Sequence, residues 1–219
     1  MSLTISKIYT FLGLLSWWFI YGFFCWLLLE ITLQYYPIDF DVAFLRIKQD
    51  EMQFWYYKLA FYVHVASAIF CLLAGFTQFS GSLRQRFPSI HRLIGWIYIV
   101  TILIFAAPSG LLMGYYANGG WSSQLAFCLL AILWFATTYI AWRSLAKSDY
   151  LTHQKYMLRS FALTLSAITL RLWKYVIVLI WHPRPMDVYQ IVAWLGWVLN
   201  LAIAEYFIYK YLSKKQLEN

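Results

Sequence analysis

Arg171 lies inside an apolar run, Phe161-Ala-Leu-Thr-Leu-Ser-Ala-Ile-Thr-Leu-Arg-Leu-Trp-Lys-Tyr-Val-Ile-Val-Leu-Ile-Trp181, and Lys174 follows one helical turn later. A cation at membrane depth costs at least about 2.5–3.5 kcal/mol on insertion scales, so it ordinarily has a partner or faces a wet cavity. At i and i+3 the two cations share one helix face. His64 sits in a similar setting, Phe61-Tyr-Val-His-Val-Ala-Ser67. These three residues have the chemistry to hold an anionic headgroup, a carboxylate substrate or a quinone carbonyl.

A second set has a different character. His91 and Arg92 open one apolar run, and His153, Lys155 and Arg159 open another. Imidazoles from different spans are the usual protein ligands of b-type haem in a helical bundle, with nearby cations offsetting the propionates. His91 and His153 suit such an iron pair, and Arg92, Arg159 and Lys155 suit the propionates. Tyr98 lies two turns beyond His91 on the same face, and Glu205 is the counter-charge for Arg159 or Arg92. His182 offers the imidazole that could partner His64 at the other end. Plainer readings compete. Cations near helix ends can snorkel to the headgroups, an Arg–Glu pair can simply lock two helices, and His64 can bridge helices by a hydrogen bond. A zinc or copper site lacks ligands: there is no HExxH, and no carboxylate or thiol lies within helical reach of His64. No GxSxG, P-loop or GxGxxG occurs either.

The elements that carry these residues follow from composition. The chain of 219 residues is 63% hydrophobic and only 12% charged, with a mean hydropathy of +0.62. A soluble domain is about 25% charged, so this is a polytopic membrane protein. The apolar runs fall near 8–29, 57–79, 93–116, 122–145, 157–181 and 188–210. They predict an all-α bundle of six transmembrane helices making one domain over 1–219. The first run reads as a retained span, since it lacks a small-residue cleavage site. Pro108 should kink the third span and open a cavity. Aromatics reach 21%, part of them expected in interfacial belts. Cys25, Cys71 and Cys128 all lie in apolar segments and read as small buried hydrophobes.

Charge sets the orientation. The 80–92 loop carries Arg84, Arg86 and Arg92 with no acid, and the 143–159 segment carries Arg143, Lys147, Lys155 and Arg159 against Asp149 alone. Lys210, Lys214 and Lys215 mark the C-terminal tail, whereas Asp39, Asp41, Asp50 and Glu51 offset Arg46, Lys48 and Lys58 between the first two runs. The positive-inside rule then places both termini in the cytoplasm, in a bacterial inner membrane. The net charge of +8 reflects these loops and not a nucleic-acid partner. At about 1.5 Å per residue, Arg171 lies about 15 Å below the outer surface, His64 and Lys174 about 10 Å, and Asn200 about 18 Å. His91, His153, Arg159 and Glu205 form a separate layer on the cytoplasmic side.

Several segments resemble one family of bacterial membrane proteins, domain-of-unknown-function family 2306. They are Gly75-Phe-Thr-Gln-Phe79, Leu83-Arg-Gln-Arg-Phe-Pro-Ser-Ile-His-Arg-Leu-Ile-Gly-Trp-Ile-Tyr98, Leu133-Trp-Phe-Ala-Thr-Thr138, His153 through Arg171, and Trp197-Val-Leu-Asn-Leu-Ala-Ile-Ala-Glu205. The matching positions include His64, His91, Arg92, Tyr98, His153, Arg159, Arg171, Asn200 and Glu205. Lys174 and His182 stand outside the pattern. The resemblance implies fold and location but no reaction. Helix count and histidine placement are also similar to cytochrome b561, by analogy only. The expected activity is therefore redox or electron transfer, with haem b or a quinone between the helices. The alternatives are binding or transport of a small anionic or lipid-like ligand, or an accessory role in a larger membrane complex or homo-oligomer.

Overall fold

A computed structural model describes residues 2–213, with side chains at 16 and 19–212 apart from 76 and 211. Among these the chain is all helical, without a strand. Helix α1 (Ser2–Leu33) leads into a strap with two short 3-10 turns, Ala43–Ile47 and Glu51–Gln53. Then come α2 (Trp55–Gln78), the short α3 (Gly81–Arg86), α4 (Pro88–Val100), a π-helical segment (Thr101–Ala106) and α5 (Ala107–Tyr115). Helices α6 (Trp121–Ala146), α7 (Tyr150–Thr164), α8 (Ser166–Trp181) and α9 (Pro185–Phe207) complete the bundle.

Four helical stretches are long and apolar enough to cross a membrane: Trp55–Gly75, Pro88–Tyr115, Trp121–Ala146 and Pro185–Lys210. Helices α7 and α8 make a fifth when counted as one bent span. The protein is thus a helical membrane protein in a lipid bilayer. The expected sixth span, near 8–29, falls on α1. Its side chains before 16, and at 17 and 18, lie outside the described residues, as do Lys214 and Lys215 of the tail. The described apolar part of α1, Phe19–Leu33, is shorter than a crossing.

The helices also start earlier than the apolar runs. α4 begins at Pro88 and α7 at Tyr150. Both are set by local chemistry. Pro88 stands in the first turn, where its missing N–H costs nothing. Asp149 caps α7 by accepting the Thr152 N–H at 3.0 Å. His91 and His153 are therefore held on helix, one turn inside each start.

Pro108 lies within one continuous helical span, Pro88–Tyr115. It falls in the first turn of α5, directly after the π segment, where Ala107 N–H reaches back five residues to the Ile102 carbonyl. The extra residue per turn absorbs the missing donor, and α4 to α5 continue as one span. The bend falls instead between α7 and α8, which meet at 41°. The Leu165 carbonyl keeps backbone bonds from Ile168 and Thr169 there, and polar side chains add further ones. Thr169 Oγ1 donates to the Leu165 and Gly196 carbonyls at 3.1 and 2.5 Å. Asn200 Nδ2 donates to the Ala162 and Gly196 carbonyls and to Thr169 Oγ1, all within 3.1 Å. Inside a bilayer such freed carbonyls have no water to bond, so a break persists only where side chains answer it.

The two ends of the bundle differ. Tyr56 and Tyr57 meet Tyr116, and Gln190 donates to the Gly119 carbonyl, so the starts of α2 and α9 lie beside the α5–α6 turn. Trp55, Trp121 and Trp181 stand out at this end, each more than 70% exposed, as interfacial aromatics do. The opposite, basic end gathers the start of α4, the end of α6, the start of α7 and the end of α9. Cys25 and Cys71 are buried free thiols, and Cys128 is half-buried.

Candidate functional site

At the basic end α4 packs on α2 and α7 packs on α6 and α9, and the side chain of Tyr98 bridges α4 to α7. Tyr98 Oη of α4 meets Ser160 Oγ of α7 at 2.9 Å. Two helical turns back from each partner stand His91 and His153. The same register brings the two imidazoles to one level, and each lies within electrostatic reach of the other. His153 Nδ1 is 2.9 Å from the Ala141 carbonyl. Since a carbonyl only accepts, Nδ1 carries the proton and Nε2 keeps its lone pair. His91 Nδ1 is buried without a hydrogen-bond partner. A buried polar group left unanswered is costly, by about 1–3 kcal/mol.

The cations around this pair divide. Arg84 and Arg92 both act on His91 electrostatically. Arg92 is exposed, its nearest acceptor being Ser89 Oγ at 3.4 Å. Lys155 is half-buried. Arg159 is committed elsewhere: it forms a bidentate pair with Glu205, at 2.5 and 2.8 Å, and stacks 4.6 Å from the Tyr156 ring centre. It ties α7 to α9 with its charge already neutralised, so it is a poor candidate for a propionate.

Tyr98 opens a buried polar network that spacing alone did not disclose. Its hydroxyl also meets Thr164 Oγ1 at 2.9 Å, Trp134 Nε1 donates to that same oxygen at 3.0 Å, and Ser160 Oγ meets Thr138 Oγ1 at 2.7 Å. Tyr98, Thr138 and Ser160 are fully buried. Gly75 lets the helices close over it. A methyl there would come within 2.6 Å of Phe161 and 2.9 Å of Tyr98. Ser160, Thr164 and Thr138 look like ordinary small polar residues of a span, and only the resembling segments Leu133–Thr138 and His153–Arg171 contain them.

The other polar residues sit nearer the far end. His64 Nδ1 is 2.9 Å from the Ala106 carbonyl, at the junction of the π segment and α5, with Ser109 Oγ at 3.4 Å. Gly110 makes this approach feasible, since a methyl there would stand 3.0 Å from His64 Cε1. Arg171 is half-buried, donates to the Ala167 carbonyl of its own helix, and lies within electrostatic reach of His64, Tyr35 and Tyr175. Asn200 donates to Ala162, Thr169 and Gly196 at the α7–α8 break. Lys174 is exposed. His182 ends α8 in a left-handed conformation and is exposed, and no bond joins it to His64.

The sequence profile of a family described as a predicted membrane protein, domain-of-unknown-function family 2306 (DUF2306), matches residues 61–208. The chain belongs to this family. The DUF2306 segment runs from the second turn of α2 to the end of α9, so it contains both polar layers. The strap and α1 fall outside it. No curated protein and no solved structure matches the chain, so nothing here adds to the expected likeness to cytochrome b561.

Proposed function

We propose that this DUF2306 protein is a one-electron redox protein of the bacterial inner membrane in which His91 of α4 and His153 of α7 would hold haem b. The observation that supports the reading is the pair itself: two imidazoles at one end of the bundle, within electrostatic reach of each other, one held by a backbone carbonyl and the other with a buried ring nitrogen unanswered. The donor set favours haem over a bare ion. No group of three or more His, Cys, Asp or Glu side chains gathers among the described residues, and a structural or catalytic zinc site takes three or four protein ligands. Haem needs only two, because the macrocycle supplies the rest.

The protein's own contributions are positional. The Ala141 carbonyl fixes the His153 tautomer and ring, as second-shell acceptors do at metal sites. The Tyr98–Ser160 bond sets the spacing of the two helices one level deeper. Arg84 and Arg92 supply positive charge at the mouth, where the carboxylate edge of the group would lie. Bound there, haem supplies a one-electron couple whose partner is a quinone or a larger membrane complex. The basic end faces the cytoplasm in this reading, because it carries the cation excess, and both termini then lie inside. Purification from cells supplied with haem precursor tests the assignment. A Soret band lost in His91→Ala and in His153→Ala supports it, and a colourless protein without bound iron overturns it.

A further inference from the structure

Helix α6 turns Ala126, Ala131, Trp134, Thr138 and Ala141 into the bundle, all of them buried. Its other side is open. Ile132, Phe135 and Tyr139 are exposed there, each one turn beyond the last. Arg143 and the capping residue Lys147 continue the row, both exposed. Neighbours at i and i+4 on a helix lie about 6 Å apart. The Phe135 and Tyr139 rings are stacked, 6.3 Å apart and 9° from parallel. Trp142 makes a T-shaped contact with Tyr139 at 5.7 Å. The row is thus a flat apolar ladder that ends in two cations.

Neither cation is neutralised within the fold. The ion pairs of the described residues are Arg46–Asp41, Lys48–Glu51, Arg159–Glu205 and Arg184–Asp187, and they include neither Arg143 nor Lys147. The carbonyls at the end of α6 do not occupy them either. The N–H groups of Lys147 and Asp149 answer Ser144, and that of Ser148 answers Leu145. Asp149, the nearest acid in sequence, accepts the Thr152 N–H instead. The level of the row restricts what completes it. α6 crosses as Trp121–Ala146, so the aromatic rungs lie at hydrocarbon depth and the two cations where headgroups begin. Long basic side chains at such a level reach into the headgroups. A phosphodiester has a single negative charge and oxygens enough to accept from both. A headgroup with its own ammonium would set another cation against this pair, so charge complementarity selects a lipid that is anionic overall. Its acyl chain then has the stacked rings directly below.

We propose that the exposed side of α6 binds one anionic phospholipid with an uncharged headgroup alcohol, of the phosphatidylglycerol type. Arg143 and Lys147 hold the phosphate, and Tyr139, Phe135 and Ile132 carry an acyl chain. Ala141, whose carbonyl holds His153, is on the buried side of the same helix. The lipid surface therefore shares no side chain with the haem proposal and stands or falls separately.

The test uses the full chain in neutral detergent, with native mass spectrometry counting bound lipid as phosphatidylglycerol or phosphatidylcholine of the same chains is added. Phosphatidylglycerol should occupy its first site at least about tenfold more tightly than phosphatidylcholine. Arg143→Gln combined with Lys147→Gln should weaken that site roughly thirtyfold, the loss of two basic contacts to an anionic lipid. Arg86→Gln combined with Lys174→Gln removes the same charge elsewhere and should leave the site intact. Phosphatidylglycerol with a photoreactive diazirine in its acyl chain should crosslink to residues 132–142 of the wild-type protein, so a variant that fails to fold does not spoil the test. The proposal is overturned by equal affinity for the two lipids, by an unchanged Arg143→Gln, Lys147→Gln double variant, by an equal loss in the charge-matched control, or by crosslinks that fall outside α6.

Discussion

Removing the Tyr98 hydroxyl, by Tyr98→Phe, tests whether α4 and α7 are held in register by the buried network. The substitution conserves volume and deletes two hydrogen bonds of 2.9 Å, to Ser160 and Thr164. A net hydrogen bond contributes about 0.5–1.5 kcal/mol, and those between membrane helices average about 0.6. Neither partner is orphaned. Ser160 keeps Thr138 at 2.7 Å, and Thr164 keeps the Trp134 N–H at 3.0 Å. The expected cost is therefore about 1–2 kcal/mol, without the larger penalty of a stranded donor. A double-mutant cycle with Ser160→Ala isolates the shared bond, which should appear as a coupling of about 0.5–1.5 kcal/mol. Equilibrium unfolding in mixed micelles measures all four variants. Additivity to within about 0.3 kcal/mol refutes the network as a helix–helix tie.

Two further outcomes follow from the same packing. Gly196→Ala should destabilise by about 1–3 kcal/mol, because the added methyl meets Leu170 Cβ at 2.9 Å and Cα at 3.1 Å where α9 crosses α8; a thermal melt in detergent measures it. The bonds from Thr152 hold the Asp149 carboxyl below its ordinary 3.8, so the cap of α7 stabilises the fold above that pH and is lost as pH falls through the lowered value. Amide exchange in the first turn of α7 should accelerate below about pH 4 in the wild type, and Asp149→Ala should show no such step.

The sequence disclosed the parts that burial and period control. The helical class, the apolar stretches now seen as α2, α4–α5, α6 and α9, and the basic end are all visible in hydropathy and charge. What escaped it depends on tertiary bonding. Pro108 reads as a kink, but a neighbouring π turn absorbs it. Nothing in Thr164-Leu165-Ser166 announces a break, and the side chain that answers the Ala162 carbonyl, Asn200, comes from a helix distant in sequence. Asn200 was grouped with Arg171 by depth, yet depth along a helix carries no information about which face a residue shares. His91 and His153 could be placed at one level by counting turns, and only the Tyr98–Ser160 bond shows that a side chain links their helices. Lys48 reads as a loop cation and is among the most buried residues of the chain, since its charge is met by Glu51 and a backbone carbonyl.

The absorption spectrum of the purified protein, oxidised and then reduced with dithionite, bears most directly on the central proposal. A Soret band with reduced-state α and β bands, absent from both His91→Ala and His153→Ala but retained in His64→Ala, is the predicted result. A spectrum without a Soret band, or one that survives loss of either His91 or His153, contradicts it.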